Sequence, residues 1–501
     1  MKVRASSEGV ILPPAIWPAV GITGTLLGIA IAGTPQLTIP TIEWILMCTA
    51  ALAALAVGIR SPFHAFCLLV VTLPFENALV FTSVFTITPA HLALLLMIAV
   101  CAWYAPRRRI VGRLSSPLHR FVLVYLGMSF LSIAMTIVAP PPTGAAGAST
   151  GWRATELRTV IQICLLLFMS LSYFATVYFC STQARLKQVM TIYLATATLI
   201  ALYGLYQVVA TIYYLPLVAN LVRSYFGIAS SFRPNATFRE PLNFGHYLLT
   251  ALPLAITLFL HHNRLRGSDR MIWGVGLLPA IVVMAAALLA TIARGAWFGF
   301  IGAMGVMMFL SVRIGGHRVV VRALVLAAVV CVVAIVATAQ AYSSLQEMYT
   351  VIANRFAFSN PVNVAAEQRL PFIPFLFGLW RRYPVLGVGY GNYPLYQLDS
   401  FGGGIAGAYG LYFQALVESG VLGLGALLAM IGAYYVTMWR ALERASATEW
   451  WPWLAGSACA FTGLMIQYFT FGDRFGMYAW VFIGLSMAMV NVVNDEIGTR
   501  A

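Results

Sequence analysis

The feature that most constrains this chain is a long series of apolar segments, separated by short polar stretches. A helix needs about 20 mostly apolar residues to cross the hydrocarbon core of a bilayer. The candidate segments are 14–33, 43–59, 63–81, 87–104, 119–138, 159–180, 189–215, 243–262, 271–291, 295–312, 319–339, 411–439, 451–470 and 475–493. The series predicts an all-α polytopic membrane protein with about 12–14 transmembrane helices.

The composition excludes the other broad classes of protein. Hydrophobic residues make up 61% of the 501 residues and charged residues only 9%, whereas a soluble domain carries about 25% charged residues. A water-soluble enzyme, a disordered chain and a disulfide scaffold are therefore excluded. The seven cysteines lie in or at the ends of apolar runs and form no CxxC pair, which indicates packing residues rather than metal ligands.

The basic residues predict the orientation in the membrane. If the N-terminus is cytoplasmic, 19 of the 30 Lys and Arg residues fall on the inside, and the short outside loops 34–42 and 82–86 contain none. Cytoplasmic loops collect Lys and Arg, so both termini are predicted to be cytoplasmic. The net charge of +15 then reports orientation, and no nucleic-acid partner is expected.

The spans and loops divide the chain into five regions. They are the N-terminal helices 1–215, an outer loop 216–242, helices 243–339, a large outer loop 340–410 and the C-terminal helices 411–501. The large loop is predicted to contain an amphipathic or re-entrant helix at Pro371–Trp380. Span 63–81 is interrupted at Pro74, Glu76 and Asn77, so a shallow or re-entrant helix is an alternative there.

Arginines on the outer side are the main functional signal. Arg294 lies between two apolar runs with almost no loop, where a charge is costly unless it faces a cavity or a partner. Arg233 and Arg239 lie in the outer loop 216–242, and Arg369 lies in the large outer loop 340–410. The planar arginine fork suits phosphate oxygens, so together they could bind a diphosphate headgroup. Taken singly, each could instead be an interfacial anchor.

The remaining titratable residues suggest no metal chemistry. The sequence has no DxD or HExxH motif and no outer carboxylate cluster, which disfavours a metal-dependent transfer, and no cofactor is expected. Glu240 beside Arg239 is either a salt-bridge partner or a base. His246, alone at the entry to a helix, is interpreted as structural. Glu418 near the start of a span is expected to hold backbone or an arginine.

Four motifs between residues 233 and 423 resemble, in order, those of O-antigen ligases and related polysaccharide polymerases. Asn235–Asn243 resembles "GTFxxPN", and Ala293–Ala296 resembles "SRGA". Arg369, followed by Trp380 and then Tyr383–Tyr393, resembles "R…W…hPllGvGxGnf", and Tyr409–Gly420 is similar to "HNxYLQxLxExG". A single motif is weak, and the ordered set is more specific. The preceding spans match only in hydropathy.

The resemblance implies a membrane glycosyltransferase of GT-C-like architecture in the bacterial inner membrane. Such enzymes take a glycan from an undecaprenyl diphosphate carrier on the outer face and pass it to a lipid A core or to another glycan. Neither metal nor cofactor is implied. Carried over, Arg294 and Arg369, with Arg233 or Arg239, would hold the diphosphate. Positive charge there would stabilise the departing group, where negative charge develops.

One position departs from the family pattern. The histidine of the "HN" motif corresponds to Tyr409, and tyrosine, with an ordinary pKa of about 10, is a poor base at neutral pH. The base could be Glu240, Glu367 or His246, or it could be dispensable. The chain could also be a polymerase or a divergent relative, which we favour over a lipid A-core ligase.

A polytopic anion or solute transporter is the alternative function. A transporter should show paired halves with corresponding motifs. Here the signals concentrate in residues 233–423, with no partner set in the first half of the chain. This asymmetry favours the enzyme.

Overall fold

The computed structural model describes residues 55–76, 87–105, 114–138, 155–213, 215, 233–265, 271–273, 275–314, 372–401, 410–472 and 474–498. Its α-helices are α1 Pro62–Thr72, α2 Pro89–Tyr104, α3 His119–Leu131, α4 Ala134–Val138, α5 Thr155–Phe179, α6 Gln183–Ile212, α7 Pro241–Leu260, α8 Leu278–Ala290, α9 Arg294–Arg313, α10 Phe372–Arg382, α11 Tyr393–Phe401, α12 Leu411–Arg444, α13 Trp451–Gln467 and α14 Met477–Gly498. Two 3₁₀ turns, His262–Arg264 and Val275–Leu277, precede α8. No strand occurs among these residues.

Seven helical stretches among the described residues are long and apolar enough to cross a membrane. They are α3 with α4, α5, α6, α7, α9, α12 and α14. The all-α polytopic architecture predicted from the sequence is therefore confirmed. The predicted spans 14–33 and 319–339, and most of 43–59, lie outside the described residues.

Two predicted spans are shorter than the sequence indicated, and those predictions are corrected. Span 63–81 is α1, which ends at Thr72 because Pro74 cannot continue the helical hydrogen bonding. Span 271–291 becomes α8, which begins only at Leu278, with a proline in its first turn. Proline is well suited to that position because the missing N–H would have no helical partner.

Helices α7, α13 and α14 form the core of the bundle. In the most apolar windows of α7 and α14, 89% of the residues are buried, whereas in α9 the share is 39%. Helix α13 packs against both α7 and α9. At the α9–α13 crossing Gly299 faces Gly463, and a Cβ on Gly299 would overlap the Gly463 carbonyl. Small residues let membrane helices approach this closely.

The bundle has two chemically different ends. At the basic end, Arg264 donates to the Ser446 carbonyl at 2.5 Å and Lys187 lies 3.8 Å from Glu449. These residues belong to loops that the sequence places on the inside. The other end, where α7, α9 and α12 begin, holds the sequence motifs and is called the motif end below.

Candidate functional site

The segment 233–240, which precedes α7, is folded into the protein. The side-chain amide of Gln207, on α6, makes two hydrogen bonds to the backbone of Ala236. Its Nε2 donates to the Ala236 carbonyl at 3.0 Å, and its Oε1 accepts from the Ala236 N–H at 2.8 Å. The Thr237 hydroxyl donates to the Pro74 carbonyl at 2.7 Å, just after α1. Ala236, Thr237 and Phe238 are completely buried. Residues 236–238 are therefore a fixed, buried part of the protein rather than a surface loop, and they are called the floor below.

Arg233 links this segment to the Arg294 motif. Its Nε donates to the Thr291 carbonyl at 2.8 Å, and Thr291 lies in the short connection between α8 and α9. Arg294 is the first residue of α9. Both arginines are half-buried. The contact brings two motifs that are about 60 residues apart to one edge of the bundle, as a joint anion site requires.

Arg239 and Glu240 lie at the rim of the motif end. Both are exposed and directly precede α7. One turn into that helix, the Asn243 side chain donates to the Glu76 carboxylate at 3.0 Å. The rim therefore carries acidic side chains beside the arginines. Neither acid contributes to a metal cluster, since no group of three His, Cys, Asp or Glu residues that could hold an ion occurs in the described ranges.

The other two predicted site residues, Arg369 and Tyr409, lie outside the described residues. Their chain neighbours are described. Helix α10, which follows Arg369, begins at Phe372 with two buried leucines and ends with the exposed Arg381 and Arg382. It occupies the stretch where the sequence predicted a helix in the large loop.

The N-terminus of α12 begins at Leu411, two residues after Tyr409, and is held by the segment between α13 and α14. The Leu411 N–H donates to the carbonyls of Tyr468 and Phe471, at 2.9 and 3.0 Å. Helices α7, α9 and α12 thus all begin at the motif end. The positive ends of their dipoles point there and favour a bound anion, in addition to the arginines.

The motif after α10 forms a turn that pairs with α12. The Val388 N–H donates to the Val417 carbonyl at 2.8 Å, and the Gly389 N–H donates to the Glu418 carbonyl at 3.0 Å. These carbonyls are available because α12 is kinked at Gly420, whose φ is 65° and ψ −165°. That conformation is essentially restricted to glycine.

Side chains of the first half of the chain also hold this turn. The Thr159 hydroxyl donates to Asn392 Oδ1 at 2.8 Å, and Asn392 Nδ2 donates to the Thr136 hydroxyl at 3.2 Å. The Tyr390 N–H donates to the Ser132 hydroxyl at 3.1 Å, where α3 gives way to α4. Helices α3, α4 and α5, which resemble the family only in hydropathy, therefore supply the contacts that fix the glycine-rich turn.

Residues 279–428 match the O-antigen ligase family. The resemblance inferred from the motifs is thereby confirmed for this region, which extends from α8 through the Arg294 motif and the turn to the first half of α12. It supports a glycan ligase or polymerase kind of function and a glycosyltransferase-like enzyme. No curated protein matches the chain. Arg233, Arg239 and Glu240 precede the O-antigen ligase region.

The O-antigen ligase region includes Glu418 but ends before the arginine that pairs with it at the motif end. Arg474, between α13 and α14, contacts both carboxylate oxygens of Glu418 through Nη2, at 3.0 and 2.9 Å. Burial alone would lower the pKa of Arg474, but the Glu418 carboxylate raises it above its ordinary value. The expectation that Glu418 holds an arginine is therefore confirmed.

Sequence reasoning did not single out Arg474. The signal was present, since Arg474 lies between two apolar runs with little loop, as Arg294 does. An intramembrane or membrane-edge arginine indicates a partner or a cavity by default. The partner could not be identified from local sequence because Glu418 is 56 residues away.

His246 is buried beneath the motif end. Its ring lies 4.5 Å from the ring of Tyr468 and 4.7 Å from that of Phe471, measured between centroids, and the residue is fully buried. A base must reach the proton that it abstracts, directly or through one water. The burial favours the structural interpretation of His246 over a role as the base that replaces the family histidine.

Proposed function

We propose that the protein is a membrane glycosyltransferase that uses a glycan linked to undecaprenyl diphosphate on the periplasmic face of the bacterial inner membrane. The observation that carries the proposal is the contact of Arg233 with the residues just before Arg294, because it joins two half-buried arginines in the family's motif order. Both termini would then be cytoplasmic. This orientation is supported by the Lys and Arg residues at the basic end.

The proposed chemistry is displacement of a diphosphate without a metal. Arg233 and Arg294, with Arg239 and Arg369, bind the diphosphate, and three helix N-termini add positive potential. Charge develops on the diphosphate oxygen as the sugar–oxygen bond breaks, so fixed positive groups there stabilise the transition state more than the bound donor. The acceptor is another glycan or a lipid A core, and polymerisation is the favoured of the two reactions.

Deletion of the gene distinguishes the two reactions. Loss of a polymerase should leave surface lipopolysaccharide with a core carrying a single repeat unit. Loss of a ligase should leave bare core while carrier-linked polymer accumulates. Lipopolysaccharide and exopolysaccharide are analysed by gel electrophoresis, with complementation by the intact gene as the control. Surface glycans identical to those of the parent strain would contradict the proposed function.

Glu240 and Tyr409 are the proposed candidates for the base, and replacing each separates them. Glu240 is exposed at the rim, and Tyr409 lies two residues before the start of α12 in the sequence. A positioned base typically contributes about 10²–10⁴-fold to the rate. Glu240→Gln or Tyr409→Phe should lower the transfer rate of the purified enzyme by that order, whichever residue is the base. The matched control is Glu443→Gln, an exposed glutamate at the basic end.

Each outcome of that measurement has a consequence for the base. A loss in only one variant assigns the base to that residue. Equal rates in both variants and in the wild type would mean that neither residue is the base, which leaves Glu367, His246 or a leaving group that needs no base. The pH–rate profile adds a second readout, because removing a carboxylate base removes its titration from the acid limb.

A further inference from the structure

Arg474 contacts three parts of the protein that are far apart in the chain. Besides Glu418 on α12, its Nη1 donates to Gln162 Oε1 on α5 at 2.8 Å. Its guanidinium lies 4.1 Å from the ring centroid of Tyr390 in the turn after α10. The three contacts use different parts of the guanidinium, namely Nη2, Nη1 and its flat face. A lysine would keep the charge but could not reproduce them with one ammonium group.

The segment that carries Arg474 also fixes the start of α9. Thr470 packs so closely on Gly295 that a Cβ there would overlap the Thr470 hydroxyl. Gly295 directly follows Arg294. The same segment supplies the carbonyls of Tyr468 and Phe471 that cap the start of α12. A displacement of residues 468–472 would therefore move the Arg294 motif and the start of α12 together.

Glu418 connects this segment to the turn. Its side chain binds Arg474, and its backbone carbonyl accepts from the Gly389 N–H at 3.0 Å. The side-chain carboxylate is almost fully buried, with 2% of its surface exposed. It also accepts from the Gln414 amide at 3.3 Å, one turn earlier on α12. The pair thus joins the turn at residues 383–392 to the described part of the connection between α13 and α14, residues 468–472 and 474–476.

We propose that Arg474 is a positioning residue of the transferase. It holds the 383–392 turn through Glu418 and the start of the Arg294 helix through the segment that carries it, and so keeps both in their working arrangement. The proposal rests on the proposed function. Arg474 lies outside the O-antigen ligase match, and its charge is neutralised by Glu418, so its role differs from that of the diphosphate-binding arginines. A pair whose carboxylate is buried contributes fixed geometry, which catalysis requires, since small misplacements of the reacting groups are costly.

The test compares three variants of the full-length protein purified in detergent: Arg474→Lys, Arg474→Gln and the double variant Glu418→Gln with Arg474→Gln. The folded fraction is measured by gel filtration. The kcat and KM for the lipid-linked donor are then measured per folded molecule. Arg440→Gln, an exposed arginine at the basic end, is the matched control. Hydrogen–deuterium exchange of peptides covering residues 383–392 gives a readout that does not depend on activity.

Arg474→Lys is expected to keep most of the folded fraction and to lower kcat/KM about tenfold or more. Its exchange at residues 383–392 should rise. Arg474→Gln leaves a buried carboxylate unpaired and should fold poorly. The double variant removes both charges, so the folded fraction should recover while activity per folded molecule stays low. If Arg474→Lys does not fold, Gln162→Ala, which removes one hydrogen bond, should show a smaller loss of the same kind.

The proposal would be overturned if Arg474→Lys and the double variant both had the kcat, the KM and the hydrogen–deuterium exchange of the wild type per folded molecule. The pair would then contribute only stability. Wild-type values in Gln162→Ala together with wild-type values in the double variant would also overturn the proposal. A wild-type protein without any transferase activity would count against the proposed function instead. In that case the exchange measurement still decides whether Arg474 fixes the turn.

Discussion

Replacing Arg294 by alanine should lower the transferase rate by about 10²–10³-fold, the size of the effect expected for losing one preorganised group that stabilises developing negative charge. Arg294 begins α9 at the motif end, and Arg233 is held beside it through Thr291. The protein level in the membrane should be unchanged, since a half-buried arginine at a helix start contributes little to packing. The rate is measured on purified enzyme, and surface polysaccharide is measured in complemented cells.

The matched control is Arg313→Ala, at the other end of the same helix. Arg313 is exposed and lies 4.9 Å from the ring centroid of Trp439, a contact worth about 0.5–1 kcal/mol at an exposed site. It should retain activity. Arg294→Lys should lie between the wild type and the alanine variant, because it keeps the charge without the two-pronged geometry. Equal activity of the Arg294→Ala and Arg313→Ala variants would contradict the assigned role of Arg294.

Replacing Gly420 by alanine should destabilise the protein by roughly 2–5 kcal/mol, combining backbone strain with overpacking. The glycine has a φ of 65°, and a Cβ there would overlap the Val385 carbonyl of the turn. Gly387 is in the reciprocal situation, since its φ is 69° and a Cβ would overlap the Val417 carbonyl. In both cases the obstruction is backbone, which cannot rotate away as a side chain can.

Gly425 provides the control on the same helix. Nothing lies within 4 Å of a Cβ built on it, and alanine is the better helix former, so Gly425→Ala should leave stability unchanged or slightly raised. The apparent melting temperature in detergent is compared for the two variants. If the Gly420→Ala and Gly425→Ala variants have the same apparent melting temperature, the kink of α12 is not required for the turn to pair with α12.

Properties that depend on local sequence could be predicted, and properties that depend on distant partners could not. The helices α9 and α12 follow from long apolar runs, and their observed bounds lie close to the predicted ones. Arg294 was found because an arginine between two apolar runs is exceptional in itself. The shortness of α1 was only partly predicted, since Pro74 signalled an interruption but not where the helix ends.

The candidate site shows the same division. Asn235–Asn243 could be identified as a motif, but the burial of residues 236–238 within it could not, because it depends on Gln207, which is 29 residues from Ala236. The pairing of Arg474 with Glu418 likewise depends on how α12, α13 and α14 pack, which the periodicity of each helix leaves open. The sequence indicated that Glu418 could hold an arginine, but it did not indicate which arginine.

The recessed floor has a consequence for how a lipid substrate would enter. Gln207, which holds it, lies five residues before the end of α6, or about 7 Å along a helix. The floor also rests on the end of α1, whose 11 residues extend only about 16 Å, roughly half the hydrocarbon thickness. We therefore expect a lipid-linked donor to approach the floor from the side, within the bilayer. Its long tail would remain dissolved in the bilayer, and no work would be required to lift the molecule out.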